Sequence, residues 1–155
     1  MKYIIIILGS LFMFTACSSS TSTSENESAG TETASSEDEV KKKQYLVAGE
    51  TLFLQYCSNC HQQDGTGLAD LYPPLLESDY MEENFEEVIC IIKNGKQGEI
   101  VVNGKTYNQL MPPLNMLTDL EIAEIATYIY NNFGHERGLI PVKDVTRLLQ
   151  NCGEN

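Results

Sequence analysis

Basic residues are scarce in this sequence. Only ten of its 155 residues are Lys or Arg, against 22 Asp or Glu, which gives a formal net charge of −12. Surfaces that bind nucleic acid are usually basic because they neutralise phosphate groups, so nucleic acid is not an expected partner. A protein that docks on this chain is expected to present a basic or an apolar surface.

Long hydrophobic runs are also lacking, apart from Ile4–Phe14 near the amino terminus. This run is shorter than the roughly 20 residues that a membrane-spanning helix needs. Because Lys2 precedes it and the small residues Thr15 and Ala16 follow it, residues 1–16 are predicted to be a signal peptide. The mature chain is therefore expected outside the cytoplasm, on the periplasmic side.

Cys17 lies directly after this segment, and Phe14-Thr15-Ala16-Cys17 resembles a bacterial lipobox in which Phe14 replaces the usual aliphatic residue. The resemblance implies a lipidated Cys17 that anchors the protein to a membrane surface. The alternative is an ordinary signal peptide cleaved near Ala16. Residues 17–43 contain few apolar side chains and are predicted to form a flexible tether before a single domain at 44–155.

The most specific motif is Cys57-Ser58-Asn59-Cys60-His61, whose C-x-x-C-H spacing is the signature of c-type haem attachment. Two thiols three positions apart on a helical turn can each join one vinyl group of the same porphyrin. The next residue then places its imidazole under the iron. The sequence therefore predicts one covalent haem c, attached through Cys57 and Cys60 and ligated by His61.

Other cysteine chemistries fit this sequence less well. A redox C-x-x-C motif would lie in a thioredoxin-like βαβ pattern, which the sequence does not show. A structural zinc site needs a second pair of ligands, whereas Cys90 and Cys152 are single and far apart. We expect Cys90 to be a buried small apolar residue and Cys152 to be exposed, and a disulfide between them is the less favoured alternative.

The predicted domain offers three methionines and one further histidine as a sixth iron ligand. Met111 precedes Pro112-Pro113, and such a stiff segment can hold a thioether in a fixed place. A Met/His pair of ligands raises the reduction potential of a haem. Met111 is therefore the predicted ligand, and Met116 is its main rival. Met81 is expected to pack in the core, and His135 to be a solvated surface residue.

The fold class is predicted to be mainly α with a minor β-hairpin. Apolar residues at helical spacing predict the helices. Two of these helices are expected to begin with capping boxes, at Asn84–Glu87 and Thr118–Glu121. An Asn-Gly pair predicts the hairpin turn. The predicted elements are helices at 45–56, 84–92, 118–132 and 142–150 and a hairpin at 100–107.

These features resemble class I bacterial cytochromes c over about residues 44–134. The matching segments are Gly49-x-x-x-Phe53, Cys57–His61, Pro73-Pro74-Leu75, Met111-Pro112 and Ile125–Ile129. The resemblance implies a cytochrome c fold, in which the amino-terminal and carboxy-terminal helices cross beside one covalent haem. It also implies that a carbonyl of Pro73 or Pro74 accepts a hydrogen bond from His61. Residues 72–80 and 102–112 are further similar to cytochrome c domains fused to copper nitrite reductases, which implies electron delivery in respiration.

The predicted function is therefore one-electron transfer in a respiratory chain. A monomeric, lipid-anchored cytochrome c would pass electrons to a terminal oxidase or reductase. No enzymatic activity is expected, because His135 is the only other histidine and no acid–base group accompanies the predicted haem. The alternative is a five-coordinate haem protein that binds or senses a small gaseous ligand, which requires an open sixth position.

Overall fold

The computed structural model describes residues 30–153, with side chains from residue 36 onward. The predicted signal peptide, Cys17 and the tether up to residue 29 lie outside the described residues. In chain order the elements are helices α1 (Gly30–Tyr56), α2 (Ser58–His61), α3 (Asp79–Glu83) and α4 (Phe85–Asn94), strands β1 (Ile100–Val102) and β2 (Lys105–Tyr107), and helices α5 (Asp119–Asn132) and α6 (Val142–Gln150). The mainly helical fold class is thus confirmed. Among the described helices, none combines the length and apolar character needed to cross a membrane.

Helix α1 begins earlier than the sequence predicts. Residues 30–43, which the sequence analysis assigns to a flexible tether, form the first half of this helix. Lys and Glu are good helix formers. In addition, Glu39 lies four positions before Lys43 on this helix, a spacing that stabilises an exposed helix. The prediction of a flexible tether is therefore wrong for residues 30–43.

Helices α1 and α5 pack against each other at the centre of the domain. A Cβ atom on Gly49 would lie 2.7 Å from the carbonyl carbon of Glu124 and 2.8 Å from Cβ of Tyr128. The two backbones therefore approach as closely as only a glycine permits. Phe53 is fully buried beside this contact, and its ring centroid lies 5.1 Å from that of Phe133. This packing fixes the end of α1, from which the C-x-x-C-H motif continues.

The start of α5 is confirmed as a capping box. The Thr118 hydroxyl accepts a hydrogen bond from the Glu121 amide, and the Glu121 carboxylate accepts one from the Thr118 amide at 2.7 Å. The second predicted capping box, at Asn84–Glu87, is wrong because the Asn84 side chain does not cap α4, although α4 does begin at Phe85. The Asn84 side chain donates instead to the carbonyl of Tyr80 at 3.0 Å. It does so because α3, a helix that the sequence analysis missed, ends immediately before α4.

The predicted hairpin is confirmed. Strands β1 and β2 are antiparallel, and the register pairs Ile100 with Tyr107. Asn103 and Gly104 form the turn with positive φ angles of 51° and 74°, the conformation that an Asn-Gly hairpin turn requires. The carboxylate of Asp79 accepts a hydrogen bond from the Asn103 amide at 2.7 Å, which ties the hairpin to the start of α3.

The carboxy-terminal helix is held by a disulfide between Cys90 and Cys152, whose Cα atoms lie 5.6 Å apart. The expectation of an unpaired, buried Cys90 and an exposed Cys152 is therefore wrong. Helix α6 folds back on α4 and α5 and buries Val145 completely. This places Cys152, just after α6, beside Cys90 on α4, although 62 positions separate the two residues in the sequence.

Candidate functional site

A cavity of about 980 Å³, which includes its mouth towards solvent, lies beside α2. The four residues predicted to hold a haem, Cys57, Cys60, His61 and Met111, all line it. Most of the other lining side chains are apolar and come from α1, α3, α4, α5, the hairpin and the loops between them, among them Phe53, Leu75, Met81, Val88, Ile92, Val102, Leu110, Ile125 and Ile129. The fold thus brings the C-x-x-C-H motif and the Met-Pro-Pro segment to one apolar space.

The C-x-x-C-H motif continues the path of α1 as a short helical turn. The Cys57 amide donates to the Phe53 carbonyl at 2.9 Å, and the His61 amide donates to the Cys57 carbonyl at 3.0 Å. The buried Phe53 therefore anchors the motif to the α1–α5 interface. The turn places two thiols and one imidazole on the same cavity, as the spacing of the motif predicts.

The His61 ring is oriented by a single backbone acceptor. Its Nδ1 donates a hydrogen bond to the carbonyl of Pro73 at 3.0 Å. Burial lowers the pKa of His61, and the hydrogen bond to Pro73 offsets this in part. His61 is therefore a neutral imidazole with its proton on Nδ1, which leaves Nε2 with a free lone pair for a metal ion.

The Pro73 carbonyl is held in place by two glycines in the loop after α2. The amide of Gly67 donates to the His61 carbonyl at 2.9 Å, and the Leu75 amide donates to the Gly65 carbonyl at 2.7 Å. Both glycines have φ near +72°, and a Cβ atom on Gly67 would lie 2.7 Å from the carbonyl of Pro73. Glycine is required there because the loop folds back on its own backbone.

Met111 is positioned through its backbone. Its amide and carbonyl exchange hydrogen bonds of 3.0 Å with the carbonyl and amide of Lys96, just after α4. Gly95 makes this approach possible, because its φ is +75° and a Cβ atom there would lie 2.5 Å from the Met111 carbonyl oxygen. Met116, the rival ligand, is 63% exposed and does not line the cavity.

The Cys57 thiol of the motif is neutral in this apolar setting. Burial raises the pKa of Cys57 to about 12, and the nearby Cys60 thiol adds to the rise. A thiolate that binds metal or performs redox chemistry needs a lowered pKa instead. The Cys57 thiol therefore lacks the lowered pKa of a reactive thiolate. Among the described residues there is also no cluster of three or more His, Cys, Asp or Glu side chains that could hold a metal ion.

Comparison with known proteins decides the family. Residues 45–129, more than half of the chain, match the family described as Cytochrome C oxidase, cbb3-type, subunit III. The chain belongs to this cytochrome c family. Cytochromes of this kind are haem proteins that transfer electrons and are not themselves enzymes.

Several relatives carry cytochrome names. The chain is 34% identical to cytochrome c-552 of Thermus thermophilus over 94 residues, which cover 58% of this chain and 72% of that protein. It is 26% identical over 106 residues to the cytochrome c subunit of alcohol dehydrogenase (quinone) from Gluconacetobacter polyoxogenes, covering 66% of this chain and 22% of that subunit. It is 30% identical over 107 residues to the fructose dehydrogenase cytochrome subunit from Gluconobacter japonicus, covering 64% of this chain and 21% of that subunit. The matched part of this chain thus spans only about a fifth of the length of those two subunits.

The residues of the cavity fit the cofactor that this family implies. A haem c needs two neutral thiols for thioether bonds, a neutral imidazole for the iron, and apolar walls around the porphyrin. Cys57 supplies a neutral thiol and His61 a neutral imidazole, and both line the apolar cavity. Cys60 adds the second thiol of the motif, and Met111 adds a thioether from another segment of the chain.

Two other side chains near the site were assigned from the sequence. Met81 is 2% exposed and packs in the core as predicted. The expectation for His135 is wrong, because this residue is only 4% exposed. Its Nε2 donates to the Leu75 carbonyl at 2.9 Å, and its Nδ1 contacts the carboxylate of Glu82. A lone histidine after a helix gives no sequence signal for such contacts, since both partners are more than 50 positions away.

Proposed function

We propose that this cytochrome is a one-electron carrier with a single covalent haem c. Cys57 and Cys60 would hold the haem through thioether bonds, and His61 and Met111 would bind its iron. The observation that carries the proposal is the cavity, which joins the C-x-x-C-H motif to Met111 and leaves Met116 outside. A haem bound there supplies an Fe(III)/Fe(II) couple that takes up and releases one electron.

The protein's own residues prepare this site for electron transfer. The Pro73 carbonyl holds the His61 ring and increases its basicity as a ligand. The Lys96 backbone holds Met111, so the thioether does not depend on a flexible loop for its position. Apolar walls such as Val102 and Ile129 exclude water from the cavity. A rigid, dry surrounding needs little rearrangement when the charge of a bound group changes.

Electrons are proposed to enter and leave at the mouth of the cavity. Leu110 lines the cavity and is 56% exposed, so the rim beside Met111 is partly apolar. The chain as a whole carries a net charge of −12. A redox partner with a basic or apolar docking surface fits these properties. We propose that the partner is a terminal oxidase or reductase of a respiratory chain, including reductases of the copper nitrite type.

We further propose that the protein works at a membrane surface outside the cytoplasm, as a monomer. A signal peptide at 1–16, a lipid on Cys17 and the segment that follows would attach the domain to the membrane. The first half of α1, in which residues 36–40 are exposed, would add a helical spacer between the lipid and the haem domain. Mass spectrometry of the mature protein, compared with Cys17→Ser, tests the lipid independently of the haem.

An absorption spectrum tests the haem and its ligands. The full chain is expressed with haem-maturation machinery, together with Met111→Ala and the matched variant Met116→Ala. We expect a covalent haem in all three proteins. We also expect the weak red band of Met–Fe(III) bonding in the parent protein and in Met116→Ala, but not in Met111→Ala.

Two results would overturn parts of the proposal. A protein that binds no covalent haem would contradict it entirely. A high-spin parent protein whose spectrum shifts with carbon monoxide or nitric oxide would favour the gas-binding alternative and remove Met111 as a ligand. Reduction and reoxidation of the purified protein by single-electron mediators measures the proposed activity directly.

A further inference from the structure

His135 is a buried histidine that the proposed electron transfer does not use. Its side chain is 2% exposed, whereas that of its partner Glu82 is 53% exposed. The ring lies between an acceptor on each side: the Leu75 carbonyl, 2.9 Å from Nε2, and the Glu82 carboxyl group at Nδ1. Each ring nitrogen thus has an oxygen partner, and the arrangement restricts where protons can lie.

The hydrogen bonds determine the proton count of this pair. A carbonyl oxygen can only accept, so Nε2 carries a hydrogen. At Nδ1 there are two arrangements: an imidazolium donates to a Glu82 carboxylate, or a protonated Glu82 donates to a neutral ring. Both arrangements keep one shared proton and give the pair no net charge. Loss of that proton would set a carboxylate against an imidazole lone pair, and the contact would break.

The same imidazole holds the loop that orients the proposed haem ligand. We call residues 73–77 the orienting loop. His61 donates to Pro73 at its start, and Glu77 donates through its amide to the Phe133 carbonyl at 2.8 Å at its end. Between them, the Leu75 carbonyl accepts from His135. Apart from His61 itself, the described contacts of this loop include one titratable side chain, and it is His135.

Other charged or titratable groups surround the pair. The ring centroid of Tyr130, on α5, lies 5.8 Å from that of His135. The Arg137 guanidinium lies 5.5 Å from the Tyr130 centroid. Glu77 of the orienting loop lies beside Gly134, since a Cβ atom added there would be 2.8 Å from the Glu77 Cγ. Glu82 on α3 is the group in direct contact with the imidazole. A proton on the pair is therefore accompanied by one fixed cation and one further carboxyl group.

We propose that His135 is a positioning residue. Through its hydrogen bond to Leu75 it holds the orienting loop, and hence the Pro73 carbonyl that orients the His61 imidazole. Glu82 contacts the ring from the other side. The inference rests on the proposed haem ligation by His61 and adds to it a residue that acts on the reduction potential through the loop. The hydrogen bond from His61 to Pro73 increases the basicity of the imidazole, which would stabilise Fe(III), so loosening the loop should raise the potential.

Three variants of the holoprotein separate the parts of this proposal. In His135→Gln the amide nitrogen can still donate to Leu75, but no proton is shared with Glu82. His135→Phe removes both contacts, and Glu82→Gln keeps the imidazole and breaks the ion pair. Thr127→Val is the matched control, because Thr127 is equally buried but its hydroxyl bonds with the backbone of Ile140, away from the orienting loop.

Amide hydrogen exchange measures the positioning role. The amides of Leu75 and Leu76 both donate to the Gly65 carbonyl, so they report opening of the orienting loop. We expect exchange about ten- to a hundredfold faster in His135→Phe, the loss of one hydrogen bond to a charged group, and close to the parent rate in His135→Gln. If His135→Phe and Thr127→Val show the same rates, the positioning role is wrong.

The reduction potential, measured at one pH, tests the effect on the proposed haem ligand. We expect a higher potential in His135→Phe, and a potential close to that of the parent protein in His135→Gln and Thr127→Val. Glu82→Gln should fold normally because Glu82 is half exposed, and its potential should lie between those of the parent protein and His135→Phe. Equal potentials in His135→Phe and Thr127→Val would overturn the inference while the low-spin His/Met spectrum stayed intact. Absence of a covalent haem would instead overturn the proposed function itself.

Discussion

The backbones of Lys96 and Met111 exchange two hydrogen bonds, each 3.0 Å long. This pairing joins the end of α4 to the Met-Pro-Pro segment and presents Met111 to the cavity. Neither partner is a regular strand residue, and the pairing depends on the left-handed conformation of Gly95. The position of the proposed ligand Met111 therefore depends on Gly95, which does not itself line the cavity.

Replacement of Gly95 by alanine is expected to displace Met111. The new Cβ atom would lie 2.5 Å from the Met111 carbonyl oxygen in a backbone conformation that L residues disfavour. Gly98→Ala is the control, since Gly98 has φ +95° with open space around its Cβ position. In Gly95→Ala we expect the Met–Fe(III) band to weaken and the free energy of unfolding to fall by about 1–3 kcal/mol. In Gly98→Ala we expect the band to stay unchanged. Equal bands in both variants would contradict this account.

Because of the ion pair between Glu87 and Lys96, the free energy of unfolding is expected to fall at acidic pH. The Lys96 ammonium, 2.5 Å away, holds the pKa of Glu87 below its ordinary value. A carboxyl group with a lowered pKa stabilises the fold above its unfolded-state pKa, and this contribution is lost as the pH falls through the folded-state pKa. Both side chains are partly exposed, so the effect should stay below about 1 kcal/mol.

Urea unfolding at neutral and acidic pH measures this contribution. Glu87→Gln should lower the stability at neutral pH and reduce the difference between the two conditions. Glu86→Gln is the matched control, because Glu86 lies in the same turn of α4 and shows no ion pair among the described residues. The explanation fails if both variants respond to acid in the same way.

The close contact between α1 and α5 predicts a large effect at Gly49. In Gly49→Ala the methyl group would meet the Glu124 carbonyl and Cβ of Tyr128, so the helices must move apart. We expect a loss of about 1–3 kcal/mol in the free energy of unfolding. Gln55→Ala, at an exposed position of the same helix, should change stability by less than about 0.5 kcal/mol. Thermal unfolding of both variants checks this, and similar melting temperatures would contradict it.

The Cys90–Cys152 disulfide is expected to stabilise the domain without affecting the site. It closes a loop between positions 62 residues apart, so removal in the Cys90→Ala/Cys152→Ala variant should cost about 2–4 kcal/mol. No residue of α6 lines the cavity, so the absorption spectrum should stay unchanged. Peptide mapping without reduction should show Cys90 joined to Cys152. A Cys90 that carries a free thiol in the purified protein would contradict the pairing.

Local sequence signals predicted most of the secondary structure correctly. The Thr118–Glu121 box, the Asn103-Gly104 turn and α6 depend on residues close together in the chain, and all three are confirmed. The errors concern contacts between distant residues or competition between neighbours. Asn84 fails as a cap because α3 ends directly before α4, and α3 is too short to show helical periodicity.

The residues of the candidate site were predictable from the sequence, but their arrangement in space was not. The spacing of Cys57, Cys60 and His61 carries its own geometry, because one helical turn places all three on the same side of the chain. The stiff Met-Pro-Pro segment favours Met111 over Met116, but it does not show which of the two reaches the cavity. The bridge to Lys96 and the exposure of Met116 distinguish the two.

The sequence by itself determined the haem-binding motif, the mainly helical fold and the acidic character of the chain, because each depends on neighbouring residues or on composition. Only the tertiary structure decided which methionine reaches the cavity, that Cys90 pairs with Cys152, and that His135 is buried against the orienting loop. Each of these contacts joins residues far apart in the chain. Their formation depends on how α1, α4, α5 and α6 pack, and the hydrophobic effect that drives packing does not specify pairs of residues.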